Sequence, residues 1–260
     1  MRSAILIAPT TFSVFDPLPR KLLLEQGFGL VENDRGRKLS EQEVVELGRD
    51  CVGVIAGTEK YTAAVLQSLP GLRVISRLGV GMDNIDLNYA ADSNVAVTRT
   101  ETRPSIAVAE LALGFILDLL RGIHSHDRLL KAGCWEKTMG SLLSGKTLGV
   151  VGLGATGKCL VELTRGFGLK YLAYDRDINE EFARTHGVEY CGLDRLLADS
   201  DVVSVHLSLS HDIVDLFDYS KLKMMKSGAI LVNTSRGEII KEDDLVRALG
   251  EKVIAGAALD

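Results

Sequence analysis

The chain has 260 residues, 46% of them hydrophobic and 25% charged, and a formal net charge of −5. That length accommodates two domains, since one domain usually takes ~100–200 residues. The acidic balance and the lack of a long basic run argue against a nucleic-acid binder, and no segment reaches the ~18 uninterrupted apolar residues of a membrane span.

The N-terminal stretch MRSAILIAPTTF has an apolar core too short for a signal peptide. From there, short apolar runs alternate with helical patterns. In the first half the strand-like runs are AILIA (4–8), VGVIA (52–56), RVISRL (73–78) and VAV (95–97), with GFGLVE (27–32) a weaker one. Between them lie LPRKLLLEQ, the stretch after Ser40, TAAVLQSL and DLNYAADS. SEQE at Ser40–Glu43 fits a capping box, in which a hydroxyl and a carboxylate each satisfy an orphan amide at a helix start.

A helical segment from Ser105 to about Arg121 follows, its apolar run interrupted by Glu110 and Asp118. Polar residues cluster in TRTETRPS (98–105), where Pro104 disfavours a continuing helix, so the domains are expected over 1–100 and 101–260. The second half gives TLGVVG (147–152), YLAYD (171–175), DVVSVHL (201–207), AILVN (229–233) and VIAGAALD (253–260). Helical segments such as KCLVELTRGFG and KEDDLVRALG separate them. This alternation predicts an α/β protein with doubly wound parallel sheets covered on both faces.

Cys51, Cys134, Cys159 and Cys191 form no CxxC pair, which argues against a zinc site or disulfide framework. They read as four buried or half-buried thiols in a reducing cytosol, and the protein as cytoplasmic with no bound metal.

Gly152-x-Gly154-x-x-Gly157 follows a strand and opens a helix with Ala155 and Thr156. The first glycine permits the tight turn, the second lets the backbone approach a pyrophosphate, and the third lets helix and strand pack closely. The exposed amides and the helix dipole favour the anion. The next strand ends at Asp175, about 20 residues on, where an acid accepts hydrogen bonds from an adenosine ribose. Its charge would repel a 2′-phosphate, which favours NAD over NADP; the neighbouring Arg176 could meet such a phosphate.

Two further loops follow strands. In RLGVGMDNID (77–86), glycines flank Val80, so the Val80 and Gly81 amides can form a nest for a carboxylate. A β-turn with Asp86 capping the next helix is the plainer alternative. In NTSRG (233–237), Arg236 can grip a carboxylate with two parallel hydrogen bonds and polarise an adjacent carbonyl, or be a surface arginine at a turn. His206 ends DVVSVH on the same edge and reads as a contact in the cofactor region. His124, His126, His186 and His211 are assigned no chemistry.

Taken together, RLGVGMDNID, VAELALGFILDLLR, AGCWEKTMGSLLSGKTLGVVGLGATGK, YLAYD, LKMMKSGAILVNTSRGEII and AGAALD resemble the NAD-dependent D-isomer-specific 2-hydroxyacid dehydrogenases, in particular the phosphoglycerate dehydrogenase-like branch. The resemblance runs from about residue 73 onward. It implies a flavodoxin-like substrate domain and a Rossmann NAD-binding domain with a cleft between them, and a homodimer. It makes Arg236 the catalytic arginine, which binds the carboxylate of a small 2-hydroxy or 2-oxo acid and orients the 2-oxo group. It gives Val80 and Gly81 the substrate carboxylate, and places His206, Thr234, Ser235 and Asp260 around the nicotinamide.

Two departures stand out: Ser208 in HLSLS where the family commonly has proline, and RTETRP (99–104) in place of its usual asparagine-, proline- and glycine-containing turn. The family pattern also continues beyond Asp260 to a glutamate, a proton-donating histidine held by it, and a last helix that completes the substrate domain. The chain therefore reads as part of an enzyme of roughly 300–330 residues. The alternatives are a chain that binds NAD without turnover and an NAD-sensing regulatory protein.

Overall fold

The computed structural model describes residues 3–101 and 104–260. Thr102 and Arg103, which fall in both the expected domain boundary and the RTETRP departure, lie outside the described residues. The chain divides into two compact units, Met1–Arg103 and Pro104–Asp260.

The first unit alternates strands and helices: β1 (Ala4–Ile7), α1 (Leu18–Glu25), β2 (Gly29–Glu32), α2 (Glu41–Gly48), β3 (Cys51–Ala56), α3 (Ala63–Gln67), β4 (Val74–Arg77), α4 (Leu87–Asp92) and β5 (Ala96–Arg99). All pairings are parallel, in the order β2-β1-β3-β4-β5. That is the flavodoxin-like order. Its core joins strand residues Leu6, Val54 and Ile75 to helix residues Val44, Val65 and Leu66. The capping box forms: Glu43 N–H donates to Ser40 Oγ at 3.3 Å, and Ser40 N–H donates to Glu43 Oε2 at 2.8 Å. Two of the four orphan amides of α2 are satisfied from three residues of sequence.

The second unit begins with α5 (Ser105–Arg121) and α6 (Ile123–Lys131). It continues through β6 (Thr147–Val151), α7 (Ala155–Leu163), β7 (Lys170–Tyr174), α8 (Glu180–His186), β8 (Val188–Tyr190) and α9 (Leu193–Asp199). It ends with β9 (Val202–Val205), α10 (Tyr219–Leu222), β10 (Ile230–Asn233), α11 (Glu242–Gly250) and β11 (Gly256–Leu259). The six parallel strands run β11-β10-β9-β6-β7-β8, so the order reverses between β6 and β9. Counted from β6 this is the dinucleotide-binding order 3-2-1-4-5-6. One side of the sheet packs Ala109, Ala112, Ile116 and Leu120 of α5 with Leu160 and Val161 of α7. The other packs Leu196, Leu197, Leu222, Leu245 and Ala248 from α9, α10 and α11. Every residue of β9 and β10 is buried, which is why both read as mostly apolar runs, broken only by Ser204 and Asn233, rather than as alternating ones.

Two local expectations are corrected, and one alternative is borne out. VIAGAALD is not a strand from residue 253: Val253 N–H returns to the Ala248 carbonyl at 2.8 Å, with Lys252 at φ 56°, so these residues close α11 before β11 begins at Gly256. Cys134 is exposed rather than buried or half-buried, because it lies in the irregular segment after α6; the other three cysteines are buried or half-buried, and all four are free. Asp86 does cap α4, its Oδ1 accepting the Tyr89 N–H at 2.9 Å, and this coexists with an open loop before it.

Candidate functional site

In the second unit the residues singled out from sequence all sit at the carboxyl edge of the sheet, where open α/β sheets bind ligands. Gly152 leaves β6 at φ 98°, and a Cβ there would stand 2.8 Å from the His206 carbonyl, on the strand across the reversal point. Gly157 is tighter: its Cβ would meet the Gly152 carbonyl oxygen at 2.3 Å. Only glycine lets α7 start this close to the end of β6. At Gly154 a Cβ would meet nothing within 4 Å, so that face of the turn is open, and Gly154 and Ala155 are exposed with Thr156 half-buried. Among the described residues no side chain caps α7, which leaves its first amides to an anion.

Asp175 follows β7 directly and is half-buried. Its Oδ2 accepts the Leu153 N–H at 2.6 Å and its Oδ1 the Asp177 N–H at 3.1 Å. The carboxylate therefore holds the glycine turn itself, a contact that the motif spacing did not disclose. Arg176 turns aside: it donates to Ser210 Oγ at 3.3 Å and pairs with Asp212 at 3.6 Å, on the loop after β9. A guanidinium engaged there is drawn away from a 2′-phosphate.

His206 follows β9. Its Nε2 lies 2.9 Å from the Ser204 hydroxyl, and its Nδ1 3.5 Å from that of Thr234, the outer limit of a hydrogen bond. Burial pushes the imidazole down to about 4, so the ring is neutral near pH 7. Thr234 is buried and Ser235 and Arg236 half-buried in the loop after β10, where Arg236 donates to the Ser235 carbonyl at 3.0 Å. Asp260, exposed, follows β11, and its N–H donates to the Asn233 carbonyl at 3.0 Å. One edge thus brings together Gly152, Gly154, Ala155, Thr156, Gly157, Asp175, His206, Thr234, Ser235, Arg236 and Asp260. Among the described residues, no group of three or more His, Cys, Asp and Glu could hold a metal ion, and no helix is long and apolar enough to cross a membrane.

In the first unit, Val80 and Gly81 lie in the half-buried loop after β4, and among the described residues their amides take no hydrogen-bond partner. Asn84, which sequence reasoning passed over, ties this loop to the one after β3: its Nδ2 donates to the Gly57 and Glu59 carbonyls at 3.1 and 2.6 Å. The buried Glu59 carboxylate accepts the Gly57 N–H at 2.8 Å.

Residues 113–260 match the family model described as D-isomer specific 2-hydroxyacid dehydrogenase, NAD binding domain. The chain belongs to that family. Among similar dehydrogenases, the D-3-phosphoglycerate dehydrogenase of Rattus norvegicus is 37% identical over 248 residues, 94% of this chain and 46% of the rat protein. A glyoxylate reductase of Korarchaeum cryptofilum is 35% identical over 228 residues, 85% of this chain and 69% of its own length. A D-lactate dehydrogenase of Aquifex aeolicus, solved with NAD and lactic acid, superposes with a TM-score of 0.83 at 27% identity, covering 99% of this chain and 76% of that one. The chain spans about half the length of the mammalian phosphoglycerate dehydrogenases it matches. The glycine turn, its helix and Asp175 all lie inside the segment that the NAD-binding model covers.

Proposed function

We propose that the chain carries the cofactor half and the catalytic arginine of a dehydrogenase that moves a hydride between NAD(H) and a small D-2-hydroxy or 2-oxo acid. The observation that carries this is the meeting, on one sheet edge, of an uncapped helix N-terminus, the Asp175 carboxylate and Arg236. Residues 101–260 serve as the NAD-binding domain and residues 1–100 as the substrate domain. The open amides of Gly154, Ala155 and Thr156 suit a pyrophosphate, and Asp175 suits a ribose diol. His206, Thr234, Ser235 and Asp260 line the nicotinamide end. When bound, NAD supplies the hydride donor or acceptor. Arg236 binds the acid's carboxylate and polarises the 2-oxo group toward the charge it gains on reduction. The Val80 and Gly81 amides are donors for the same carboxylate class. His206, neutral and held between two hydroxyls, serves as wall rather than proton donor.

The four free thiols suit the cytoplasm. Trp135, Met139 and Leu142, strongly exposed after α6, suit burial in a homodimer. An NAD-sensing regulator would have no use for an arginine aimed at a 2-oxo acid. NADH oxidation with pyruvate, glyoxylate and 3-phosphohydroxypyruvate tests the reading. Turnover with at least one acid is expected of the enzyme that joins this chain to a proton donor, and Arg236→Ala should lower it ~100-fold or more with NADH affinity retained. Turnover unchanged in that variant contradicts the role.

A further inference from the structure

Three of the buried polar residues, Ser204, Asn233 and Thr234, cluster at the carboxyl ends of β9 and β10. Asn233 is the one with the most bonds to the loop. It is the last residue of β10, 1% exposed, and its side-chain hydrogen bonds go to Ser235 and Arg236. Its Oδ1 accepts two hydrogen bonds from the same residue, the Ser235 N–H at 3.0 Å and the Ser235 hydroxyl at 2.6 Å. Its Nδ2 donates to the Arg236 carbonyl at 2.8 Å. Its own carbonyl accepts the Asp260 N–H at 3.0 Å. The amide orientation is dictated by these partners, since an N–H requires the oxygen and a carbonyl requires the NH₂.

We infer that Asn233 is a positioning residue that fixes the backbone from which Arg236 projects. The inference rests on the proposed role of Arg236. Residues 234–236 leave a fully buried strand and turn without a helix of their own to hold them. Arg236 is extended, at φ −137° and ψ 137°, and its carbonyl receives Asn233 Nδ2 on one side and the Ile239 N–H at 3.3 Å on the other. A long arginine side chain is useful in catalysis only if its Cα is fixed, because small errors at the base are carried to the guanidinium. The chemistry calls for an acceptor and a donor on separate atoms of a short side chain, which the asparagine amide provides. Aspartate would keep the Ser235 bonds but set a carboxylate oxygen against the Arg236 carbonyl in a buried place. Alanine would lose all three.

The test uses the whole chain with Asn233→Asp and Asn233→Ala. Amide exchange at Ser235 and the ¹⁵Nε resonance of Arg236 read the brace directly, whether or not any acid is turned over. Asn233→Asp should keep Ser235 protected while shifting and broadening the Arg236 signal; Asn233→Ala should lose both. In the reductase assay both variants should lose ~100-fold in kcat/KM for the 2-oxo acid, with the NADH Kd within about twofold of wild type. An Arg236 signal unchanged in both variants overturns the inference. So does a parallel loss of NADH and 2-oxo acid affinity, which would make Asn233 a general scaffold residue. A wild-type enzyme, joined to its proton donor, that reduces none of the acids overturns the proposed function instead, and the Arg236 signal still decides the brace.

Discussion

The loops after β6 and after β4, each proposed above to offer backbone amides to an anion, are shaped in different ways. After β6 the turn is set by sterics: a Cβ at Gly157 would strike the Gly152 carbonyl and one at Gly152 the His206 carbonyl, so only glycine fits at either place. After β4 the loop is held by a hydrogen-bonded tie, Asn84 reaching across to the Gly57 and Glu59 carbonyls of another loop. A shape imposed by close contact is rigid and written in local sequence. A shape imposed by a side-chain bond is adjustable and depends on a partner 25 or 27 residues away. On the proposed function, the first manner suits a cofactor that does not vary, and the second a substrate loop that can be retuned by changing one residue.

The largest effect that would break this contrast is at Gly157. Gly157→Val drives a side chain into the Gly152 carbonyl at 2.3 Å and into Val150 at 2.9 Å. It should cost more than ~3 kcal/mol, by urea denaturation, and abolish NAD binding. Retained NAD binding would show that the turn is not the site. Asn84→Ala should be milder, with a loss of ~1–2 kcal/mol in stability and a KM for the 2-oxo acid raised ~10-fold at unchanged NADH affinity. An equal rise in both constants would erase the distinction between the two edges.

The third expected effect is a pH dependence. His206 titrates at about 4 in the fold against ~6.5 in an unfolded chain. Above about pH 6.5 neither state binds the proton and His206 contributes no slope. As the pH falls from 6.5 toward 4, only the unfolded chain is protonated, so stability drops by at most ~1.4 kcal/mol per pH unit. His206→Gln should flatten that stretch of the curve in urea titrations; an unchanged slope would place the imidazole in solvent.

The same contrast explains what was legible in the sequence. Strands buried on both faces, such as β9 and β10, and the glycine turn announce themselves because their cause is local. The capping box of α2 does so as well, as its partners are three residues apart. The strand β8 was missed: Val188–Tyr190 is three residues with an exposed glutamate, too short to show a period. The helix α6 was missed because it has no buried residue to mark a face. The bonds that shape the site were hidden for a different reason. Asp175 to Leu153 spans 22 residues and Asn84 to Glu59 spans 25, so neither can be read from spacing. Asn233 lies within NTSRG, yet only the fold shows that its two bonding groups serve opposite needs of the next three residues.

The central claim, that the edge after β6 and β7 holds NAD, is tested most directly by titrating wild type and Asp175→Asn with NADH and NADPH. Asparagine keeps an acceptor for the Leu153 N–H but removes the charge that opposes a 2′-phosphate. Wild type should bind NADH more tightly than NADPH, and Asp175→Asn should shrink that preference ~10-fold, through weaker NADH binding, stronger NADPH binding or both. A preference unaltered by the substitution would contradict the assignment of this edge to the cofactor.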